Sequence, residues 1–226
     1  MIKFLSLKAF AAASAASAAS ALSACVSQPK QQADYTAFRN SKPHSILVLP
    51  PVNQTSDINA TYGMLSQMTM PLAEGGYYVV PVAEMDETFK HNGLTTANDI
   101  QNVPAAKLRQ IFGADAALYT TVTDYGTKYQ VIANNTVVTA NAKLVDLRSG
   151  DEPWHRSMPA NGKEAGNNFA VGGLAGMLAT AVVTRVAHSV SDKSYDVAGL
   201  TSQRLLATGN ANGLLYGPRS PKYGTE

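Results

Sequence analysis

The sequence predicts an α/β (α+β) fold: a single mixed β-sheet with an antiparallel meander, flanked by helices and preceded by a cleaved signal peptide. Three features predict it. Buried-strand runs alternate with helical patterns from residue 45 to 113, β-branched and aromatic residues dominate from 116 to 160 with turn signals between them, and residues 1–24 follow the grammar of an export signal. With 226 residues and 45% hydrophobic composition, the part behind the signal is sized for one domain, drawn over 44–226.

The chain begins Met-Ile-Lys-Phe-Leu-Ser-Leu-Lys, with two cations, then runs through small apolar residues from Ala9 to Leu22. A membrane-spanning helix needs about 20 strongly apolar residues, and this run is shorter and diluted by serines. It ends at Leu22-Ser23-Ala24-Cys25, which holds the only cysteine. The tetrapeptide resembles the bacterial lipobox, which implies cleavage between Ala24 and Cys25 and a covalent lipid on the Cys25 sulfur. One acyl chain anchors only marginally, whereas several hold durably. Val26 in place of an aspartate implies, by the same resemblance, sorting to the outer membrane. Residues 25–43 are rich in Gln, Ser and Lys and read as a polar tether.

Ile46-Leu-Val-Leu, closed by Pro50-Pro51, predicts a buried strand that stops where proline cannot donate to a ladder. A helix follows from an Asp57 N-cap, with Ile58, Tyr62, Leu65, Met68 and Leu72 on one face and Gly75-Gly76 at its end. Tyr77 to Val82 predicts a second strand, parallel to the first, and Val82–Lys90 a short helix. Pro104 opens and Gly113 closes another helix. Ala116–Tyr125, Lys128–Ile132 and Thr136–Leu147 form the meander, with turns at Tyr125-Gly126 and Asn134-Asn135, and residues 152–159 return as the last strand. Strand alternation places Trp154 in the core and His155 on the other side.

Between Asn168 and Val190, Gly172, Gly176, Thr180 and Thr184 recur at four-residue steps and form one small-residue face. Such a face serves a transmembrane association motif or a helix buried against the sheet or a second subunit; Arg185 and His188 shorten the uncharged span and favour the buried helix. A last amphipathic helix begins at Asp196 and ends before Gly209, and the tail over 212–224 is too rich in Gly and Pro for regular structure, yet Leu214, Leu215 and Tyr216 predict that it packs.

The chemistry the sequence excludes is as informative. Lys plus Arg total 18 against 16 acidic residues, and loss of Lys3 and Lys8 with the leader leaves the mature chain neutral, which argues against nucleic acid. His44, His91, His155 and His188 are isolated from any metal-ligand spacing, so no metal site is expected. No G-x-S-x-G motif is present, and Gly172-Gly-Leu-Ala-Gly lacks the Lys-Ser/Thr of a phosphate loop, so no catalytic residue and no cofactor beyond the Cys25 lipid is predicted. The adjacent pair Asp86-Glu87 reads as a solvated surface.

The lipobox, the segment Ile46-Leu-Val-Leu-Pro-Pro-Val-Asn-Gln-Thr-Ser-Asp and the terminus Gly213-Leu-Leu-Tyr-Gly-Pro-Arg-Ser-Pro-Lys-Tyr together resemble the DUF799-type family of bacterial lipoproteins, one member of which has been considered as a meningococcal surface antigen. The likeness spans the mature chain. It implies a fold similar to the amino-terminal domain of TolB and to periplasmic parts of CsgG-type secretion lipoproteins. It further implies an outer-membrane, non-enzymatic accessory of envelope export or assembly, acting in the periplasm with a CsgG-like partner. A homodimer is a further expectation, with contacts from Gly172, Gly176, Thr180, Tyr216 and Arg219. The alternative is a periplasmic ligand binder or hydrolase with its pocket at the strand ends near Pro51–Gln54.

Overall fold

A computed structural model of the protein describes residues 34–128, 135–161, 193–210 and 212–225. The leader, Cys25 and the small-residue stretch around Gly172, Gly176 and Thr180 lie outside them. The described elements run α1 (Thr36–Ser41), β1 (Ser45–Val48), β2 (Val52–Asn53), α2 (Ala60–Glu74), β3 (Tyr78–Val79), α3 (Val82–His91), α4 (Ala97–Gln101), α5 (Ala105–Phe112), β4 (Ala116–Lys128), β5 (Asn135–Asp146), β6 (Trp154–Asn161) and α6 (Lys193–Leu206). They build the expected mixed sheet flanked by helices, in the order β3-β1-β4-β5-β6, with β2 paired to β4. The expected parallel pair is β1 and β3, and β4-β5-β6 is the antiparallel meander.

Ile46, Leu47, Val48 and Leu49 are each at most 1% exposed. A strand without alternation is buried on both faces, which explains the continuous apolar run. The prolines interrupt this strand without ending it: Gln54 N–H rejoins the ladder at the Val122 carbonyl, 2.9 Å away. The gap is bridged from α4, where Gln101 Nε2 donates to the carbonyls of Pro50 and Thr120 at 2.8 and 2.9 Å. A proline has no N–H with which to fill such acceptors, so a side-chain amide supplies it.

On the meander the alternation is clean. Val138, Ala140, Ala142 and Leu144 of β5 face inward beside Trp154, which is 4% exposed, and α6 packs Val197, Ala198, Thr201 and Leu205 over them. Thr201 Oγ1 donates to Val138 O at 3.2 Å and to Val197 O at 2.9 Å, so its burial leaves no donor idle. His155 lies exposed on the opposite face, as alternation requires.

Several expectations are corrected. The helix of residues 60–74 is capped at Asn59 rather than Asp57, whose carboxylate instead accepts the Asn59 N–H at 2.9 Å. Its buried face is Ala60, Met64, Leu65, Met68 and Leu72, while Ile58 and Tyr62 point outward; the 3.6-residue period counted from Ile58 began two positions before the helix. Tyr125-Gly126 makes no turn: both lie inside β4 opposite Val138 and Val137, beyond a bulge between Val122 and Asp124. Asp86 is not simply solvated, since it bonds Tyr62 Oη at 3.2 Å and pairs with Lys90 one helical turn on. The tether drawn to residue 43 runs into α1, whose Phe38 is 3% exposed, because Tyr35 and Phe38 give the segment an apolar face to bury.

Candidate functional site

A concave surface lies where the amino-terminal segment meets the carboxyl-terminal tail. Helix α1 brings Tyr35 and Phe38 into edge contact, with ring centroids 6.4 Å apart, and Tyr35 Oη donates to Gly213 O at 2.6 Å. Lys42 ends the helix in a left-handed conformation at φ 43°, and its N–H returns to Phe38 O. Ser41 Oγ donates to Asp146 Oδ2 at 2.6 Å. Arg148 bridges the same junction, donating to the Ser41 carbonyl and to Asp146 Oδ2, the latter at 2.7 Å. Burial alone would raise the Asp146 pKa; the bonds from Arg148 and Ser41, with the Arg148 charge, overturn that and hold the carboxyl well below the usual carboxylate range.

The tail is laid against the end of α2. Gly217 N–H donates to Gly75 O at 2.8 Å and Arg219 N–H to Gly76 O at 3.0 Å, while Tyr77 Oη reaches Leu215 O at 2.5 Å. Leu214 is buried and bridges to Thr208, and Trp154 Nε1 donates to Asn212 O at 3.2 Å. The predicted packing of Leu214, Leu215 and Tyr216 therefore has a definite form. Between tail and α1 opens a groove of about 440 Å³ lined by Phe38, Arg39, Lys42, Tyr77, Tyr216 and Tyr223. The Arg219 guanidinium lies over the Tyr78 ring at 5.2 Å, and Lys222 Nζ over Tyr216 at 5.6 Å.

Of the expected contact residues, Tyr216 and Arg219 fall among the described residues; Tyr216 lines this groove, and Arg219 lies outside it, over Tyr78. Cys25, Ala24, Gly172, Gly176 and Thr180 lie outside them. Sequence reasoning missed Arg39 and Lys42, which it assigned to the tether, and Tyr223. The signal that marks them is the aromatic pair Tyr35 and Phe38, three residues apart inside an otherwise polar run.

The expected alternative pocket near Pro51–Gln54 is occupied by local bonds. Asn53 Nδ2 donates to Asp57 O at 2.7 Å, its Oδ1 accepts the Thr55 N–H at 2.7 Å, and Thr61 Oγ1 donates to Pro51 O at 3.1 Å. A shallow concavity of about 340 Å³ lies on the outer sheet face beside Tyr119, Thr121, Lys143, Glu152, His155 and Ser157. Lys143 pairs with Glu152 at 3.3 Å at the surface, and His155 Nδ1 lies 3.2 Å from the same carboxylate, the His155 side chain being 80% exposed. Among the described residues no group of three or more His, Cys, Asp or Glu is arranged to hold a metal ion, and no helix is long and apolar enough to cross a membrane.

Known proteins agree with the family resemblance. The family model "Putative lipoprotein GNA1162-like" matches residues 33–219, starting one residue before the described body. A relative from Neisseria meningitidis serogroup B, "Putative lipoprotein NMB1124/NMB1162", is 50% identical over 196 residues, covering 87% of this chain and 90% of its own. The crystal structure of lipoprotein GNA1162 from Neisseria meningitidis superposes with a TM-score of 0.51 at 51% identity, covering 65% of this chain and 99% of that one. With these matches across most of its length, the chain belongs to the GNA1162-like lipoprotein family.

Proposed function

We propose that this chain is an outer-membrane lipoprotein whose body works in the periplasm as a non-enzymatic docking module of an envelope export or assembly system. The observation that carries the reading is the place of Cys25 in a chain of this family. The lipobox stands directly behind an export-type leader and only nine residues before Asp34, where the folded body starts. Nine residues extend at most about 30 Å, so a lipid on Cys25 keeps the body against the membrane. Val26 supports outer-membrane sorting. The fold likeness to CsgG-type lipoproteins that the family resemblance implies makes a second envelope lipoprotein of that kind the partner class to test first, with a second copy of this chain next. The four-residue spacing of Gly172, Gly176 and Thr180 in the sequence supports such a contact.

The test compares the chain exported behind its own leader with a Cys25→Ala chain exported behind a secretory leader that is cut independently of Cys25. The native chain is expected in the outer-membrane band of a density gradient, its amino-terminal peptide heavier by the diacylglycerol and acyl groups. The Cys25→Ala chain is expected in the soluble periplasmic fraction after a high-salt wash. A bare thiol on the mature native polypeptide, or membrane retention of the variant through that wash, overturns the proposal.

A further inference from the structure

We propose that the groove between α1 and the tail is a membrane-contact surface that seats on anionic phospholipid. Two segments far apart in sequence meet at it, residues 35–45 and 212–225; Arg39 and Lys42 line it, Arg219 and Lys222 stand beside it over Tyr78 and Tyr216, and neither segment carries a carboxylate of its own. The mature chain is formally neutral, so four exposed cations on these two segments are a segregation of charge rather than its average. The nearest acidic residues along the chain are Asp34, before α1, and Glu226, after the tail, and the carboxylates of Asp115 and Asp146 are taken up by bonds from His44 and Ser45 and from Ser41.

The tyrosines point the same way. Tyr78 and Tyr223 are 44% and 45% exposed, while Tyr77 and Tyr216 form the groove wall. Tyrosine favours the boundary between lipid and water, where its ring is apolar and its hydroxyl wet. Arg219 and Lys222 rest over tyrosine faces, so their charges are held at the aromatic rim instead of ranging through solvent. Cations so placed next to an anionic leaflet each favour binding, and the attraction fades within a Debye length.

Position selects a bilayer over an acidic protein as the occupant. The chain enters the body at α1, on the groove wall, within about 30 Å of contour from Cys25. This step rests on the proposed lipidation, which makes the leaflet the nearest anionic surface and holds it at high effective concentration. A tether of this length that joined the body at a distant point would keep the groove away from lipid; joined at α1, it delivers the groove to it.

The test uses the mature chain carrying Cys25→Ala, so that no acyl group contributes, sedimented with vesicles of phosphatidylcholine alone or mixed with phosphatidylglycerol. Binding is expected only to the phosphatidylglycerol vesicles, falling about fivefold in partition coefficient for each of Arg39→Gln, Lys42→Gln, Arg219→Gln and Lys222→Gln, and vanishing in high salt. All four side chains are exposed, and an unchanged circular dichroism spectrum and melting temperature confirm the fold of each variant. Equal binding to both vesicle types overturns the proposal, as does undiminished binding by the fourfold variant. Binding of a poly-glutamate peptide through the same four cations, without binding to phosphatidylglycerol, also overturns it and assigns the groove to an acidic protein. Because Cys25 is absent from this assay, its failure is separate from failure of the anchor, which the mass of the native amino-terminal peptide decides.

Discussion

Replacing Gly76 by alanine is expected to destabilise the folded body by about 3 kcal/mol and to lift the tail from α2. Gly76 has φ +94°, a region that costs a residue with a Cβ about 1 to 2 kcal/mol. A Cβ there would also stand 2.4 Å from the Ser220 nitrogen and 2.8 Å from the Gly217 oxygen, both backbone atoms that cannot swing aside. The tail must then retreat, breaking the bonds from Gly217 N–H to Gly75 O and from Arg219 N–H to Gly76 O, each contributing about 1 kcal/mol. Gly93 provides the control: its φ is +77°, yet nothing lies within 4 Å of a Cβ built on it, so Gly93→Ala should lose only the conformational part. Denaturant melts of the two variants decide the matter. Equal losses would show that the tail is not seated on Gly76. A displaced tail also takes Tyr216 from the groove wall and Arg219 and Lys222 from beside it, so Gly76→Ala should weaken vesicle binding while every one of those side chains is still present.

How much of this arrangement was legible in the sequence follows from the range over which each signal acts. The strand at Ile46–Leu49, the helices opening near Val82 and Pro104, the antiparallel order of the meander and the inward Trp154 are all written in local period and turn chemistry, and the structure forms them; the expected strand Lys128–Ile132 and its turn at Asn134-Asn135 lie largely outside the described residues. Gly126 misled because a glycine inside a long twisted strand beside a bulge looks locally like a turn. Helix α4 went unread because its five residues are too few to show a period; its evidence is a Thr96 cap, whose side chain accepts the Asp99 N–H. The groove was the least legible part. Phe38 meets Tyr77 and Tyr216 only after α1 and the tail converge on the end of α2, and no window of sequence holds both segments. A polar composition across 25–43 was a fair sign of a tether, yet one apolar turn within it was enough to bind α1 to the body.

The carboxylate of Asp146 governs whether α1 stays in place, and Asp146→Asn is expected to cost about 3 kcal/mol at neutral pH. Asp146 is 4% exposed and receives Ser41 Oγ at 2.6 Å, the Arg148 backbone N–H at 2.7 Å and the Arg148 guanidinium at 2.7 Å. An amide in its place presents an NH2 group to this ring of donors and leaves Arg148 without its counter-charge. The cost stays below that of a fully buried pair because Arg148 is 42% exposed and water compensates part of the loss. The pH dependence has a definite sign. A carboxyl whose folded pKa lies below its unfolded value of about 4 gives its full stabilisation above that value and loses it as pH falls towards the folded pKa. The gap in unfolding free energy between the native chain and Asp146→Asn should therefore be constant from neutral pH to about 5 and shrink steadily below 4. Asp115 is depressed too: burial would raise it, but the His44 and Ser45 donors and the Arg148 charge lower it, so both chains should weaken in acid and only the difference between them isolates Asp146. Urea titrations at a series of pH values measure that difference. A gap that holds its size down to pH 2 would mean that the charge of Asp146 does not fasten α1, and that Phe38 and Tyr35 hold it by burial alone.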